Sequence, residues 1–181
     1  MVDGWPNIAF ENCGDSDLNR PVIDSAAFRH ALGHYPTGVC AITALTPARK
    51  PIGMIVGTFT AVSLDPFLVG FLPDRRSTTW QLIQAAGHFC VNVLASDQKD
   101  VCSKLASREE EKFANLDYAI SRHNLPVIDN SIAIIECNIY STSDAGDHWF
   151  VLGEVLNLDV LRDADPLLFF RGRYGGFAEL H

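Results

Sequence analysis

Apolar residues along this chain gather in short runs rich in β-branched side chains, separated by turn residues. Such runs fit strands better than helices, which need an apolar position every three or four residues. The pattern predicts strands over 39–46, 51–60, 67–72, 88–94, 131–140 and 148–160. Residues 47–50 and "SLDP" at 63–66 supply the first two connections. The last run alternates over much of its length, placing Phe150, Leu152, Leu156, Leu158 and Val160 on one face, with Glu154 interrupting it. The polar 141–147 segment before it predicts a hairpin with a long loop.

Helical spacing is confined to short pieces. Asp24 or Ser25 caps a helix running to about His34, where "YPTG" at 35–38 stops it. A second helix spans 79–86, with Thr78 and Gln81 at capping-box spacing and Gly87 as its stop. Two more pieces cover 97–106 and 108–113, the charged "REEEK" forming a solvated helix face. Residues 114–130, with Pro126, read as irregular, and 1–23 as an N-terminal arm in which Trp5 and Phe10 pin to the body. Residues 24–181 then make one domain, mostly β with short helices. The strands do not alternate with regular helices, so a doubly wound sheet is disfavoured and a closed or nearly closed antiparallel barrel is expected.

Composition narrows the function. The 181 residues are 48% hydrophobic and 20% charged, a globular balance. A net charge of -8 argues against nucleic-acid binding through a general basic surface. No apolar run approaches the roughly 20 residues that cross a bilayer. The N-terminus lacks a basic segment followed by an apolar one, so a cytoplasmic location is expected. The cysteines, at 13, 40, 90, 102 and 137, are odd in number and unpaired in spacing. Cys40, Cys90 and Cys137 sit in apolar runs as small hydrophobes, which fits a reducing compartment. Scattered histidines predict no metal site.

Several common chemistries lack their signatures: there is no GxGxxG, no GxxxxGK[ST] and no GxSxG. Asp147 and His148 stand where a turn becomes a strand, but neighbours on a strand point to opposite sides, which weakens a hydrolase reading. Hydroxyls recur in "GTFTAVS" at 57–63 and "RRSTTW" at 75–80, where strands end or a helix begins. Hydroxyls, free N–H groups and a helix N-terminus together can hold phosphate, with Arg75, Arg76 and Lys112 as cations. The same residues also serve as ordinary turn formers.

Larger segments then fall into a known order. "FRHALGHYPTGV" (28–39), "KPIGMIVGTFTAVSLDPFLVGF" (50–71) and "RRSTTWQLIQAAGHFCVNVLASDQ" (75–98) lead it. "EEKF" (110–113), "AGDHWFVLGEV" (145–155) and "PLLFFRGRYG" (166–175) complete it. Together they resemble the flavin-reductase-like family of FMN-binding split barrels, which includes the reductase components of two-component flavin monooxygenases. The resemblance implies a homodimer of split β-barrels that passes hydride from NADH or NADPH to FMN, or alternatively FAD, and supplies reduced flavin to an oxygenase component. A flavin- or heme-binding protein of another function, or an enzyme using flavin on an organic substrate, shares the fold. By resemblance, the flavin is lined by the 53–63 region, including Met54, Ile55, Val56, Gly57, Thr58 and Ser63. Arg76, Ser77, Thr78, Thr79 and Lys112 belong to its phosphate end. Gly146 and Asp147 border the site, His148 is the candidate catalytic residue, and Arg171 and Arg173 lie in a segment closing over the cofactor or partner subunit. Relatives often carry Asn-Ser where this chain has Gly57-Thr58.

Overall fold

The computed structural model describes residues 23–109 and 111–179. The predicted arm, with Trp5 and Phe10, lies outside the described residues except for Ile23. In chain order the elements are α1 (Ser25–Leu32), β1 (Thr37–Gly38), β2 (Cys40–Leu45), β3 (Pro51–Val56), β4 (Thr60–Leu64) and β5 (Phe67–Phe71). Then come α2 (Thr78–Ala86), β6 (His88–Val93), a 3-10 turn (Ser96–Gln98), α3 (Lys99–Ala106), β7 (Tyr118–Ile120) and β8 (Pro126–Ile128). β9 (Ala133–Ala145), β10 (His148–Val160), β11 (Leu168–Phe170) and β12 (Arg173–Gly175) finish the chain.

Seven strands form one antiparallel sheet in the order β3-β2-β6-β9-β10-β5-β4. Its two edges, β3 and β4, are consecutive in the chain and joined only by residues 57–59. The four steps from Val56 to Thr60 reach at most roughly 14 Å, so the sheet must roll until its edges meet. The result is the expected split barrel. Its interior holds Ile42, Val56, Val69, Phe71, Phe89, Val91 and Val151. Trp80 and Ile83 of α2 complete that core, with Trp80 edge-on to Phe71 at 5.6 Å between ring centres. A second core lies against the outer face of β2, where Ala41 meets Leu94, Cys102, Leu105, Phe113, Ile128 and Leu167. Burial on both faces explains why β2 reads as a continuous apolar run. Burial also pushes the thiols of Cys40 and Cys137 up to about 12, so they pack as neutral side chains.

Several boundaries differ from the sequence reading, each for a local reason. The predicted 51–60 strand divides, because 57–59 crosses between the sheet edges, and "SLDP" begins inside β4. The inward face of β10 is Val151 and Gly153, whereas Leu156, Leu158 and Val160 are exposed. Register shifts at Leu152/Gly153 and Val155/Asn157 break the simple alternation. Gly153 has no room for a side chain: a Cβ there would stand 2.5 Å from Phe89. The long loop at 141–147 is instead paired strand up to Ala145, followed by a two-residue turn. Polar residues fill that stretch because the ribbon extends beyond the core. Among the described residues, 108–113 forms no helix, and Phe113 is buried in the second core. Ser77, not Thr78, caps α2, its hydroxyl accepting from the Trp80 amide at 3.1 Å. The irregular 114–130 segment contains the β7–β8 hairpin.

That hairpin is fastened through buried polar groups. The Asn92 amide donates to Thr43 Oγ1 at 3.0 Å and accepts from the Ile128 amide at 2.8 Å. Glu136, 1% exposed, accepts from Ser121, from His123 Nδ1 at 2.9 Å and from Asn157 Nδ2 at 2.8 Å. Burial alone raises its pKa, but the three hydrogen bonds outweigh it and leave the carboxyl below its ordinary 4.5. A depressed folded-state pKa contributes stability that is present above 4.5 and is lost as pH falls through the folded value. Glu136→Gln should therefore cost about 1–3 kcal/mol at neutral pH. The gap between variant and wild type should close on acidification. Urea unfolding across a pH series checks this, and a gap independent of pH contradicts it.

Candidate active site

The β9–β10 hairpin tip places Asp147 and His148. Gly146, at φ 69°, takes the first position of the two-residue turn, the glycine-first geometry that matches strand twist. Asp147 therefore sits in the turn rather than on the strand. Its Oδ1 accepts from His148 Nδ1 at 2.7 Å, so the two side chains meet instead of pointing apart. The strand-alternation argument failed because it applies only when both residues are extended. An ionised carboxylate only accepts, so Nδ1 carries the proton of this bond, and Nε2 has no hydrogen-bond partner among the described residues. His148's hydrogen bond, then its charge, hold the Asp147 carboxyl below its usual range.

The β5–α2 loop grips this tip. The Arg75 amide donates to Asp147 O at 3.1 Å, and Trp149 N donates to Pro73 O at 3.0 Å. Arg75 also donates through Nε to His148 O at 3.3 Å, pairs with Asp144 and lies 4.3 Å over the Trp149 ring. Arg75, weighed in the sequence as a phosphate cation, is instead a clamp on the hairpin. Its neighbour Arg76 is held by Asp74 through Nε at 3.1 Å and a terminal nitrogen at 2.7 Å. Those bonds, with the Arg76 backbone amide, keep the Asp74 carboxyl well below the carboxylate range.

Arg76, Ser77, Thr78, Thr79 and Lys112 come together in one cavity of about 660 Å³, bounded across from α2 by Pro51, Ile52 and Gly53 of β3. The amides of Thr78 and Thr79 have no hydrogen-bond partner among the described residues, while Ser77 takes the Trp80 amide. A helix start with free donors beside cations is a ready anion site. Lys112 donates to Leu105 O at 2.9 Å, and burial lowers its pKa. The sequence reading missed Lys50 and Arg108 in this cavity. Arg108 was hidden in a charged run taken for a solvated helix, whereas the chain there is not helical. Position beside Pro51 was the only sequence signal for Lys50.

β3 and the link after it carry Met54, Ile55, Val56, Gly57 and Thr58. As an edge strand β3 pairs only with β2, leaving alternate backbone groups of its other edge facing outward. Met54 and Val56 turn into the barrel core, and Ile55 packs toward the second core. Gly57 is exposed and abuts Thr37, whose Oγ1 lies 2.9 Å from the position a Cβ would take. Thr58 Oγ1 accepts from Leu72 N at 2.9 Å, tying this link to the end of β5. Two sets of residues fall elsewhere. Ser63 accepts from Asp65 N at 3.2 Å and serves the β4–β5 turn. Arg171 and Arg173 lie on the β11–β12 hairpin and line a different cavity.

This geometry agrees with kinship. Residues 32–178 match the flavin reductase like domain, and the chain belongs to that family. It is 50% identical over 165 residues to a flavin reductase of Pseudomonas putida, covering 91% of this chain and 97% of the relative. Component B of a nitrilotriacetate monooxygenase from Mycobacterium thermoresistibile superposes with a TM-score of 0.82 at 42% identity, over 84% of this chain and 86% of that one. A Streptomyces globisporus NADH:FAD oxidoreductase, solved with NAD and FAD fragments, gives 0.81 at 31% identity, over 86% and 93%.

Arg75→Ala should lower stability by only about 1 kcal/mol, since its ion pair is exposed and one cation–π contact is lost. It should slow flavin reduction by loosening His148, while leaving the preference for FMN over riboflavin unchanged. Denaturation, flavin titration and reduction kinetics on one variant check all three; a lost phosphate preference would return Arg75 to the anion site.

Proposed function

We propose that the protein is an NAD(P)H:flavin oxidoreductase whose reduced flavin serves an oxygenase component. One observation carries the site assignment: free α2 amides and cations share a cavity with the edge of β3, and the β5–α2 loop joins that cavity to His148. The donor set fits a flavin phosphate, because fixed N–H groups and cations favour a phosphate over a neutral ribityl end. Thr78, Thr79, Arg76 and Lys112 hold that phosphate. The outer edge of β3 and the 57–58 link orient the ring. FMN, which ends in its phosphate, fits this arrangement, with FAD as the alternative. When bound, the flavin supplies the two-electron acceptor, taking up one hydride from the nicotinamide and one proton. The chain's own task is distance and orientation. His148 Nε2, its ring set by Asp147, orients the nicotinamide amide or offers a hydrogen bond to charge developing at the flavin edge.

The surface supports a homodimer. Leu158, Val160, Leu64 and Phe67 are 64%, 71%, 84% and 62% exposed, and no residue of α1 is buried. Apolar groups at these levels along strands call for cover. The described cysteines are free and buried, which fits the cytoplasm, and no described helix is long and apolar enough to cross a membrane.

Anaerobic mixing with NADH or NADPH should bleach the oxidised flavin band. No bleaching with either donor would overturn the reductase reading. His148→Ala should keep fold and flavin yet slow reduction about tenfold or more at saturating donor. Lost flavin with a lowered melting temperature would make His148 structural instead. Light scattering should give twice the chain mass, falling toward the monomer in a Leu158→Asp, Val160→Asp variant. A monomeric wild type at micromolar concentration rejects the dimer.

A further inference from the structure

The histidines lie scattered in the sequence, but the fold brings two of them to one cavity. His88 opens β6, His123 sits in the β7–β8 turn, and both line a cavity of about 510 Å³. Each ring is fixed through Nδ1. His88 Nδ1 lies 2.8 Å from Ala86 O, and His123 Nδ1 lies 2.9 Å from Glu136 Oε2. A carbonyl and an ionised carboxylate only accept, so both Nδ1 atoms carry the proton of these bonds. Each neutral ring then keeps its lone pair on Nε2, and neither Nε2 has a hydrogen-bond partner among the described residues.

Sheet register sets the two rings over one patch. Phe89 and Cys137 turn into the barrel core, so His88, Glu136 and Asn138 stand on its outer face. His88 is directly opposite Asn138, and Glu136 lies two residues along the same strand, a diagonal neighbour at roughly 7–8 Å. His123 is held to this patch by its bond to Glu136. Asn124 and Asn138 also line the cavity, and their side chains have no partner among the described residues.

Metal-ligating histidines donate their other ring N–H to a carboxylate or a backbone carbonyl, which orients the ring and keeps the second nitrogen free. His123 and His88 show one of each. The local field also suits a cation. Ala85 and Ala86, at the C-terminal end of α2, line the cavity, and a helix C-terminus carries partial negative charge. Glu136, 1% exposed, adds a full negative charge directly behind His123. Arg49, the cation of this lining, is exposed and can extend into solvent. We propose that His88 and His123 bind a divalent transition-metal ion of the zinc, copper or nickel class through Nε2, with Glu136 as the positioning residue behind His123. Among the described residues no group of three or more His, Cys, Asp or Glu is placed to hold a metal, so the pair binds together with the Asn124 and Asn138 oxygens and water. The phosphate cavity lies at the other end of α2, nine residues and about 13 Å away. The metal site thus stands apart from the proposed reductase site and does not rest on it.

Calorimetric titration of the tag-free chain with Zn²⁺ tests this, beside His88→Ala, His123→Gln and Glu136→Gln variants. Wild type should take up one equivalent more than the His88→Ala and His123→Gln variants. His88→Ala leaves the Glu136 bonds in place, so its loss of zinc cannot come from a disordered β7–β8 turn. Glu136→Gln keeps both histidines and should weaken that equivalent at least tenfold. Mg²⁺, which takes oxygen ligands, should not displace the zinc. Histidine ring NMR signals assign the site, because His30 and His34, with rings 4.9 Å apart, form a competing pair. The signals of His88 and His123 should shift together as Zn²⁺ is added. No uptake by wild type, equal uptake by wild type and His88→Ala, or shifts confined to His30 and His34 overturns the inference. Displacement by an equal concentration of Mg²⁺ overturns it as well. Unchanged zinc affinity in Glu136→Gln overturns the positioning role given to Glu136.

Discussion

The three-residue link between β3 and β4 governs this molecule. It joins opposite edges of a seven-stranded sheet, so the sheet has no flat alternative. Rolling it brings the end of β3, the end of β5 and the start of α2 to one side. Thr58 lies in the link and holds Leu72, which fixes where the β5–α2 loop leaves the barrel. That loop then meets the β9–β10 tip through Asp74 and His148. The site is thus assembled from segments distant in sequence by a closure whose stability comes from the core. Phe71 and Phe89, 5.3 Å apart, and Trp80 supply it from within.

Charges near the site largely cancel in pairs: Arg75 with Asp144, Arg76 with Asp74, and His148 with Asp147. These pairs are substantially exposed, and exposed pairs are each worth about 0–1 kcal/mol, so they do little for folding. Their effect is geometric, because each fixes a side chain that would otherwise sample several rotamers. Arg76 lines the cavity at the start of α2 with its charge already partly answered by Asp74. Lys112, by contrast, donates to a carbonyl and has no acidic partner among the described residues. The free α2 amides and Lys112 are consequently the stronger attraction for an anion there.

How much of this could be read from the sequence depended on locality. β2, β5 and β6 were legible because continuous apolar runs imply burial on both faces. Gly87 at φ 77° ended α2 where a C-cap glycine was expected. Arg76–Thr79 and Lys112 were grouped as phosphate candidates by residue type and then by the family resemblance, since residues more than 30 positions apart leave no periodic trace. The β10 face was misread because register shifts are set by neighbours such as Phe89, not by the strand's own residues. The Asp147–His148 contact was misread for a related reason: Asp147 was given strand geometry, whereas the pairing of Ala145 with His148 leaves it in a two-residue turn. Arg75 and Arg76 look alike in the sequence, and only the fold sends one to the hairpin and the other to the cavity.

The balance of global and local charge bears on how such a chain binds anionic nucleotides. A net charge of -8 repels them at long range. At physiological ionic strength the Debye length is about 8 Å, so most of that repulsion is screened before contact. Cations inside a cavity are screened less, and they act together with backbone amides that cannot reorient. An acidic surface around a cavity lined by Arg76, Arg108, Lys112 and the start of α2 therefore discriminates by shape and spacing: an anion gains only where it reaches fixed donors. Dispersed negative charge elsewhere keeps nonspecific polyanions away, so the acidity of the chain and the basicity of this cavity favour the same small ligands.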